Sequence, residues 1–188
     1  EDGRRILIGW AGVPDTAETH RNLSVENGWQ HCLTIPAELT CHDGKIYRRP
    51  VRELENLNWK SAVPENGRYR WVDKTLKAVF SQIRGEKRQI CIGTEKNHLK
   101  VTVQGDQVEL SFLDEKGTPA ACGGGRGKRT GRVENKIEDL LILIDSSIIE
   151  IFVNQGELVF TTRIYLEKEE REIRAGKWEN AFLEVVEE

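Results

Sequence analysis

The sequence predicts an all-β protein built around a β-sandwich, because short apolar segments follow one another with turn residues between them. Gly-containing pairs separate many of these segments, and such punctuation is typical of strands joined by hairpins. Segments with helical spacing are few. About eight strands with short connections favour two antiparallel sheets packed face to face.

The first 57 residues predict a small hairpin sheet. Asp43-Gly44 is a strong turn signal, because glycine accepts the positive φ that a type I′ turn requires. Pro36 has no backbone N–H, so its segment suits an edge strand or a bulge. The predicted strands are 5–10, 29–40 and 45–51, with a polar loop over 14–26 and one helical turn over 53–59.

The remaining residues predict the sandwich itself. Within 148–154, three apolar residues alternate with Glu150, Phe152 and Asn154. One face of this strand is therefore expected to cover a core. The predicted strands are 89–94, 98–103, 107–112, 138–145, 148–154, 158–165 and 181–187.

The charge balance predicts no nucleic-acid partner and no anionic membrane partner. The 188 residues carry 28 basic and 31 acidic side chains, for a net charge of −3. Binding to polyanions usually leaves a clear basic excess. No segment approaches the roughly 20 apolar residues of a membrane span. A soluble globular chain is therefore expected.

Cysteine usage predicts reduced core thiols and a cytoplasmic protein. Cys32, Cys41, Cys91 and Cys122 show no CxxC spacing and no accompanying His cluster, so neither a metal site nor a cofactor is predicted. Their scatter does not suggest a disulfide framework. His31 adjoins Cys32, but neighbours on a strand point to opposite faces and cannot form one thiol–imidazole site.

The glycine-rich segment CGGGRGKRTGR (122–132) departs from a phosphate-binding loop. The phosphate-loop consensus is G-x-x-x-x-G-K-[ST]. Gly127 and Lys128 match its second glycine and its lysine, whereas Cys122 replaces the first glycine and Arg129 replaces the Ser or Thr. The segment is therefore predicted to be a mobile surface loop. Its four basic residues leave weak anion binding open.

The candidate site residue is Trp10. It ends an apolar strand beside a long loop, where an indole can stack on the apolar face of a sugar ring, although a core position fits the pattern equally. Trp29 is predicted to be a packing residue. Asp15, Glu18 and Glu26 are assigned to a polar loop, because nothing marks a pair of carboxylates about 5–5.5 Å apart, as a retaining glycosidase needs.

Four segments resemble glycoside hydrolase family 32, which includes sucrose-6-phosphate hydrolases, invertases and other β-fructosidases. They are GRRILIGWAGVPD (3–15), NGWQHCLTIPAELT (27–40), DGKIYRRPVREL (43–54) and IDSSIIEIFVNQGELVFTTRIY (144–165). The first three occur in the family's order and spacing. The resemblance is weakest over 64–135.

The resemblance implies a five-bladed β-propeller followed by a β-sandwich. Residues 1–57 would be the last blade and residues 58–188 the sandwich. Trp10 would line the central funnel where fructose binds. The opening EDGRRILIGW leads from a turn straight into a strand, and the chain is accordingly expected to be the C-terminal part of a longer protein.

Two departures from the family limit what is expected of this chain. Ala37 stands in PAEL where the family commonly has Arg. The carboxylate motifs NDPNG, RDP and EC are absent, so no catalytic residue is assigned and the isolated chain is expected to be inactive. The parent enzyme would hydrolyse sucrose 6-phosphate or sucrose with retention, and the chain's partners would be the missing blades or a second copy.

Two other functions remain open. Sandwiches often bind glycans, but a carbohydrate-binding module predicts exposed aromatics on one sheet face. From residue 60 onward the only tryptophans are Trp71 and Trp178. A structural or dimerising domain needs no exposed site at all.

Overall fold

The computed structural model describes residues 2–12, 22–72 and 75–186, and strands are the main elements of these ranges. The all-β prediction is confirmed. The strands are β1 (Arg5–Leu7), β2 (Trp10–Ala11), β3 (Cys32–Leu33), β4 (Ala37–His42), β5 (Lys45–Pro50), β6 (Trp59–Ala62), β7 (Arg68–Arg70), β8 (Leu76–Phe80), β9 (Arg88–Gly93), β10 (His98–Gln104), β11 (Gln107–Ser111), β12 (Lys128–Arg132), β13 (Leu140–Asp145), β14 (Ile148–Val153), β15 (Leu158–Arg163), β16 (Glu172–Ala175) and β17 (Ala181–Val186).

Helical structure in the described ranges is limited to short 3₁₀ turns, at Leu23–Asn27, Arg52–Asn56, Ala121–Gly123, Asn154–Gly156 and Lys168–Glu170. Each contains at most five residues. Among the described residues, no helix has the length and apolar character needed to cross a membrane.

Two six-stranded antiparallel sheets form the sandwich. Their strand orders are β12-β11-β10-β9-β16-β7 and β15-β14-β13-β8-β17-β6. Alternate residues of both sheets meet in one core, because successive side chains of a strand point to opposite faces. Fully buried core residues include Phe80, Ile90, Val101, Ile142 and Ile151. The first residues form a separate three-stranded sheet, β1-β4-β5, and the pair β2-β3. We refer to residues 2–57 of the structure as the blade segment.

The predicted hairpins are present. Asp43 and Gly44 have φ of 51° and 77°, the left-handed backbone expected of a type I′ turn. They join β4 to β5 with Leu39 opposite Arg48. The consecutive strands β13, β14 and β15 also match the predicted strands 138–145, 148–154 and 158–165, with Ile151 opposite both Ile142 and Phe160.

The predicted strands at 5–10 and 29–40 are each interrupted. Gly9 donates its backbone N–H to Thr34 Oγ1 (2.7 Å) and accepts one from Thr34 N (2.8 Å). These two hydrogen bonds, one of which involves the Thr34 side chain, replace the regular backbone pairing of two strands. Pro36 has no N–H to donate, and β4 begins at the next residue, Ala37.

Five strands of the described ranges were not predicted: β6, β7, β8, β12 and β16. The missed β8, LKAVF, has apolar residues at alternate positions, whereas β7 and β12 are polar. The sequence of β7 is RYR and that of β12 is KRTGR. Neither contains the apolar alternation on which strand prediction depends. β12 also corrects the prediction that 122–132 is a surface loop. Cys122, Gly123 and Gly124 are buried, and Lys128–Arg132 pairs with β11.

Both faces of β14 are buried, which differs from the predicted one-sided strand. All six residues of Ile148–Val153 are buried. Glu150 is 0% exposed and Phe152 is 1% exposed, although their face of the sheet points away from the sandwich core. The blade segment covers that face, and the guanidinium of Arg48 lies 5.9 Å from the Phe152 ring centroid.

Glu150 is the centre of this contact. Its carboxylate accepts hydrogen bonds from the backbone N–H of Ile35 (2.7 Å) and from Thr161 Oγ1 (2.7 Å). It also forms an ion pair with Arg48. One buried carboxylate therefore connects β14 and β15 of the sandwich to two separate parts of the blade segment.

The turn after β14 makes a second contact with β5. Gly156 has φ of 95° and lies so close to β5 that an added Cβ would fall 1.9 Å from the carbonyl oxygen of Arg48. Arg49 Nε donates to the carbonyl of Gln155 (2.8 Å). Only glycine permits this approach of the two backbones.

We expect Glu150→Ala to destabilise the chain by about 3–5 kcal/mol, because it leaves the Ile35 N–H and the Arg48 charge without their acceptor. The free energy of unfolding in urea measures this. Glu109→Ala is the matched control, since Glu109 pairs with Lys128 at 2.9 Å on the surface and should contribute at most about 1 kcal/mol. Equal losses in the two variants would contradict the role assigned to Glu150.

We expect Gly156→Ala to separate the blade segment from the sandwich while the sandwich stays folded. Amide exchange should accelerate about tenfold or more in β4 and β5 and stay unchanged in β13. Gly127→Ala is the control, because the nearest atom to its added Cβ is Leu113 Cδ2 at 4.0 Å. Unchanged protection of β5 in Gly156→Ala would show that the close approach does not hold the two parts together.

Candidate functional site

Trp10 lies on an open surface of the blade segment. It occupies β2, opposite Leu33 of β3, and 63% of it is exposed. The alternative that Trp10 is a core residue therefore does not hold for this chain. An exposed indole at a strand end offers an apolar face to a sugar, and substrate binding by Trp10 stays a prediction.

His31 fixes one side of this indole. Its ring centroid lies 4.4 Å from that of Trp10, with an interplanar angle of 67°, which is a favourable edge-to-face arrangement. Gly12 permits the position of His31, since an added Cβ at Gly12 would fall 2.4 Å from His31 Nδ1. His31 Nδ1 is buried and has no hydrogen-bond partner among the described residues. The His31–Trp10 pair was not predicted, because residues 21 apart in sequence give no local signal.

Exposed apolar side chains are concentrated in the blade segment. Of the 12 large apolar residues that are exposed in the described ranges, nine lie at or before position 57. Leu33 and Ile46 are 65% and 67% exposed. The sandwich has buried most of its large apolar residues, whereas the blade segment presents a surface that a further structural element can cover.

Trp29, predicted to be a packing residue, is only partly buried. It is 41% exposed, and its ring lies 4.9 Å from the guanidinium carbon of Arg163. Arg163 is only 2% exposed. Trp29 therefore packs on a buried cation with part of its surface open to solvent.

Arg163 is a second connection between the blade segment and the sandwich. Its guanidinium donates to Ser147 Oγ (2.7 Å) and to the Gln30 carbonyl (3.4 Å). It also lies 5.3 Å from the Tyr165 ring centroid. Sequence reasoning missed both Arg163 and Glu150, and the available signal was a charged residue inside an otherwise apolar strand segment.

The carboxylates considered for catalysis are not brought together in a described site. Glu26 is exposed on the 3₁₀ turn Leu23–Asn27. Asp15 and Glu18 lie outside the described residues. Within the described part of the chain, no group of three or more His, Cys, Asp and Glu side chains is placed to hold a metal ion.

The described cysteines are free thiols with differing environments. Burial, followed by the charge of Glu170, raises the pKa of Cys122 to about 12, and burial also raises the pKa values of Cys32 and Cys91. None of these three is therefore an activated nucleophile. Cys122 is buried, Cys32 and Cys91 are half-buried and Cys41 is exposed, which corrects the prediction that all four thiols are in the core.

Two family models match the chain. The model described as "Glycosyl hydrolases family 32 C terminal" matches residues 86–185, and the model described as "Glycosyl hydrolases family 32 N-terminal domain" matches residues 1–50. The two matched regions correspond to most of the sandwich and to the blade segment. The C-terminal match alone covers more than half of the chain.

Curated relatives give the same family. A sucrose-6-phosphate hydrolase from Staphylococcus xylosus is 31% identical over 189 residues, covering 89% of this chain and 35% of the relative. A probable sucrose-6-phosphate hydrolase from Vibrio cholerae is 32% identical over 167 residues, covering 87% and 29%. The chain thus spans about one third of the length of the curated relatives it matches.

Solved structures show the same fold. The structure of a sucrose-6-phosphate hydrolase from Lactobacillus gasseri matches with a TM-score of 0.72 and 22% identity, covering 98% of this chain and 38% of that one. A β-fructofuranosidase from Bombyx mori matches with a TM-score of 0.70 and 18% identity, covering 99% and 38%. The expected all-β fold, a blade remnant followed by a β-sandwich, is confirmed by these matches. With a matching C-terminal model over residues 86–185 and a matching N-terminal model over residues 1–50, the chain belongs to glycosyl hydrolase family 32.

Proposed function

We propose that this chain is the C-terminal part of a β-fructosidase that hydrolyses sucrose 6-phosphate or sucrose. Family membership carries the proposal, and the names of the relatives support it. One matching structure, a mutant of the Bombyx mori β-fructofuranosidase, is described as a complex with sucrose. We further propose that the reaction proceeds with retention through a fructosyl-enzyme intermediate.

In this proposal the catalytic carboxylates come from segments other than residues 1–188. The family motifs that supply them do not occur in this sequence. The chain contributes the Trp10 surface and the sandwich that supports it. The exposed apolar residues of the blade segment would pack on preceding blades, which would place Trp10 beside the carboxylates.

A second copy of this chain is the other candidate to cover that surface. A dimer would bury the same apolar residues but would bring no catalytic motif. Exposed β1 favours a partner that adds strands, because an unpaired edge strand presents free N–H and C=O groups. A purely structural role and glycan binding by the sandwich alone remain the alternative functions.

We propose a cytoplasmic location for the protein. The cysteines are free in the structure, including the exposed Cys41. Exposed free thiols are typical of reducing compartments.

We expect the isolated chain to release no reducing sugar from sucrose or sucrose 6-phosphate above the blank, because most of the rate enhancement depends on groups that it lacks. A reducing-sugar assay at high protein concentration measures this. Turnover that Glu26→Gln removes would contradict the expectation, since it would place the chemistry within this chain.

In the complete enzyme, we expect Trp10→Ala to lower kcat/KM by a factor that corresponds to about 1–3 kcal/mol, with little change in the melting temperature, because the side chain is mostly exposed. Trp29→Ala should do the opposite. Its partial exposure reduces the expected loss of stability from the 3–5 kcal/mol of a buried aromatic to about 1–2 kcal/mol. Early melting of Trp10→Ala with normal kcat/KM would contradict the substrate role.

A further inference from the structure

A cavity at one end of the sandwich has a cationic lining that the proposed β-fructosidase function does not use. It has a volume of about 330 Å³ and lies where β8 ends, β9 begins and β16 ends. None of its lining residues belongs to the blade segment. They are Phe80, Lys87, Arg88, Gln89, Ile90, Ala175, Gly176 and Lys177.

Arg88 is the unusual member of this lining. It is only 7% exposed. One terminal nitrogen donates to the backbone carbonyl of Glu179 (3.0 Å), but the Nε–H has no acceptor among the described residues. A buried guanidinium normally has a carboxylate partner and satisfied donors, because desolvating the charge is costly. The Arg88 charge therefore lacks the compensation that burial requires.

The rim adds two further positive charges. Lys87 and Lys177 are exposed, and the nearest carboxylate contact of Lys177 in the described structure is Glu86, at 4.0 Å. No Asp or Glu side chain is among the residues that line the cavity. The opening beside Gly176 is clear, because an added Cβ there would meet nothing within 4 Å.

The remaining walls are apolar. Phe80 and Ile90 are fully buried, Ala175 is 9% exposed, and Phe80 stacks on Trp178 with a centroid separation of 5.5 Å. These packed residues hold β8, β9 and β16 in place around Arg88. The volume exceeds that of one tetrahedral oxyanion and leaves space for a small organic group.

We propose that this cavity binds the phosphate group of a small phosphate monoester or inorganic phosphate. A terminal guanidinium nitrogen of Arg88 would donate to a phosphate oxygen, because the Nε–H is enclosed by protein atoms. The guanidinium geometry suits tetrahedral oxyanions. Lys87 and Lys177 would supply charge at the opening. A phosphate group supplies the negative charge that Arg88 lacks among the described residues, which an uncharged ligand does not.

The 188-residue chain is sufficient for the test, because the whole lining lies within it. Inorganic phosphate is titrated against chloride at constant ionic strength and neutral pH. Heteronuclear NMR follows the Arg88 Nε–H resonance and the amides of β9 and β16. We expect saturable shifts confined to these signals in the low millimolar range or below.

Three substitutions assign the binding to the cavity. Arg88→Lys keeps the positive charge but removes the planar set of guanidinium N–H donors, and we expect about tenfold weaker binding. Lys177→Gln removes charge from an exposed rim position, so folding should be unaffected while the affinity falls severalfold. Lys60→Gln is the matched control, since Lys60 is an exposed lysine of β6 outside the cavity, and its phosphate affinity should equal that of the parent chain.

Failure to saturate, or an equal loss of affinity in Lys60→Gln and Lys177→Gln, would overturn the proposal, because either result means non-specific attraction to positive charge. Parallel titrations with fructose 6-phosphate and fructose identify the source of the phosphate. Tighter binding of fructose 6-phosphate than of inorganic phosphate supports a monoester, and equal binding supports free phosphate. Fructose binding with the affinity of its phosphate ester would also overturn the proposal.

Discussion

The buried carboxylate of Glu150 is the interaction on which the arrangement of this chain depends. It lies on the face of β14 that points away from the sandwich core, where it would face water if the sandwich stood alone. Instead it is fully buried, and its acceptors are occupied by Arg48, Ile35 N–H and Thr161. A buried carboxylate is tolerated only when such partners are in place. The blade segment is therefore fixed against the sandwich, because it supplies the partners that the buried carboxylate on β14 requires.

This requirement makes the blade segment a cover on one side and an open surface on the other. Arg163 and the close approach at Gly156 act beside Glu150 on the covered side. On the other side, Trp10 and its apolar neighbours are exposed. The segment is anchored well enough to present Trp10 in a defined orientation, with His31 packed against it. In the proposed function, that anchoring is the contribution of the sandwich to substrate binding.

The sequence predicted the parts of the fold that local chemistry determines. The Asp43-Gly44 hairpin and the meander of β13 to β15 follow from turn residues and alternation. The strand β12 and the buried state of Phe152 do not, because each depends on a partner distant in sequence. Trp10 was identified as a candidate through its place at a strand end, whereas its contact with His31 required the tertiary structure.

The burial of charged side chains also depends on partners distant in sequence and was not predicted. Glu150 was expected on a polar face, because a strand pattern cannot show that another unit covers that face. Arg88 begins a strand and gives no sequence signal that it is buried without a carboxylate.

The two residues nevertheless differ in what they imply. The charge of Glu150 is fully partnered within the chain, so its role is structural. The charge of Arg88 has no carboxylate partner among the described residues. In the proposed function, further polypeptide completes the Trp10 surface, whereas every residue proposed to bind phosphate lies within residues 58–188.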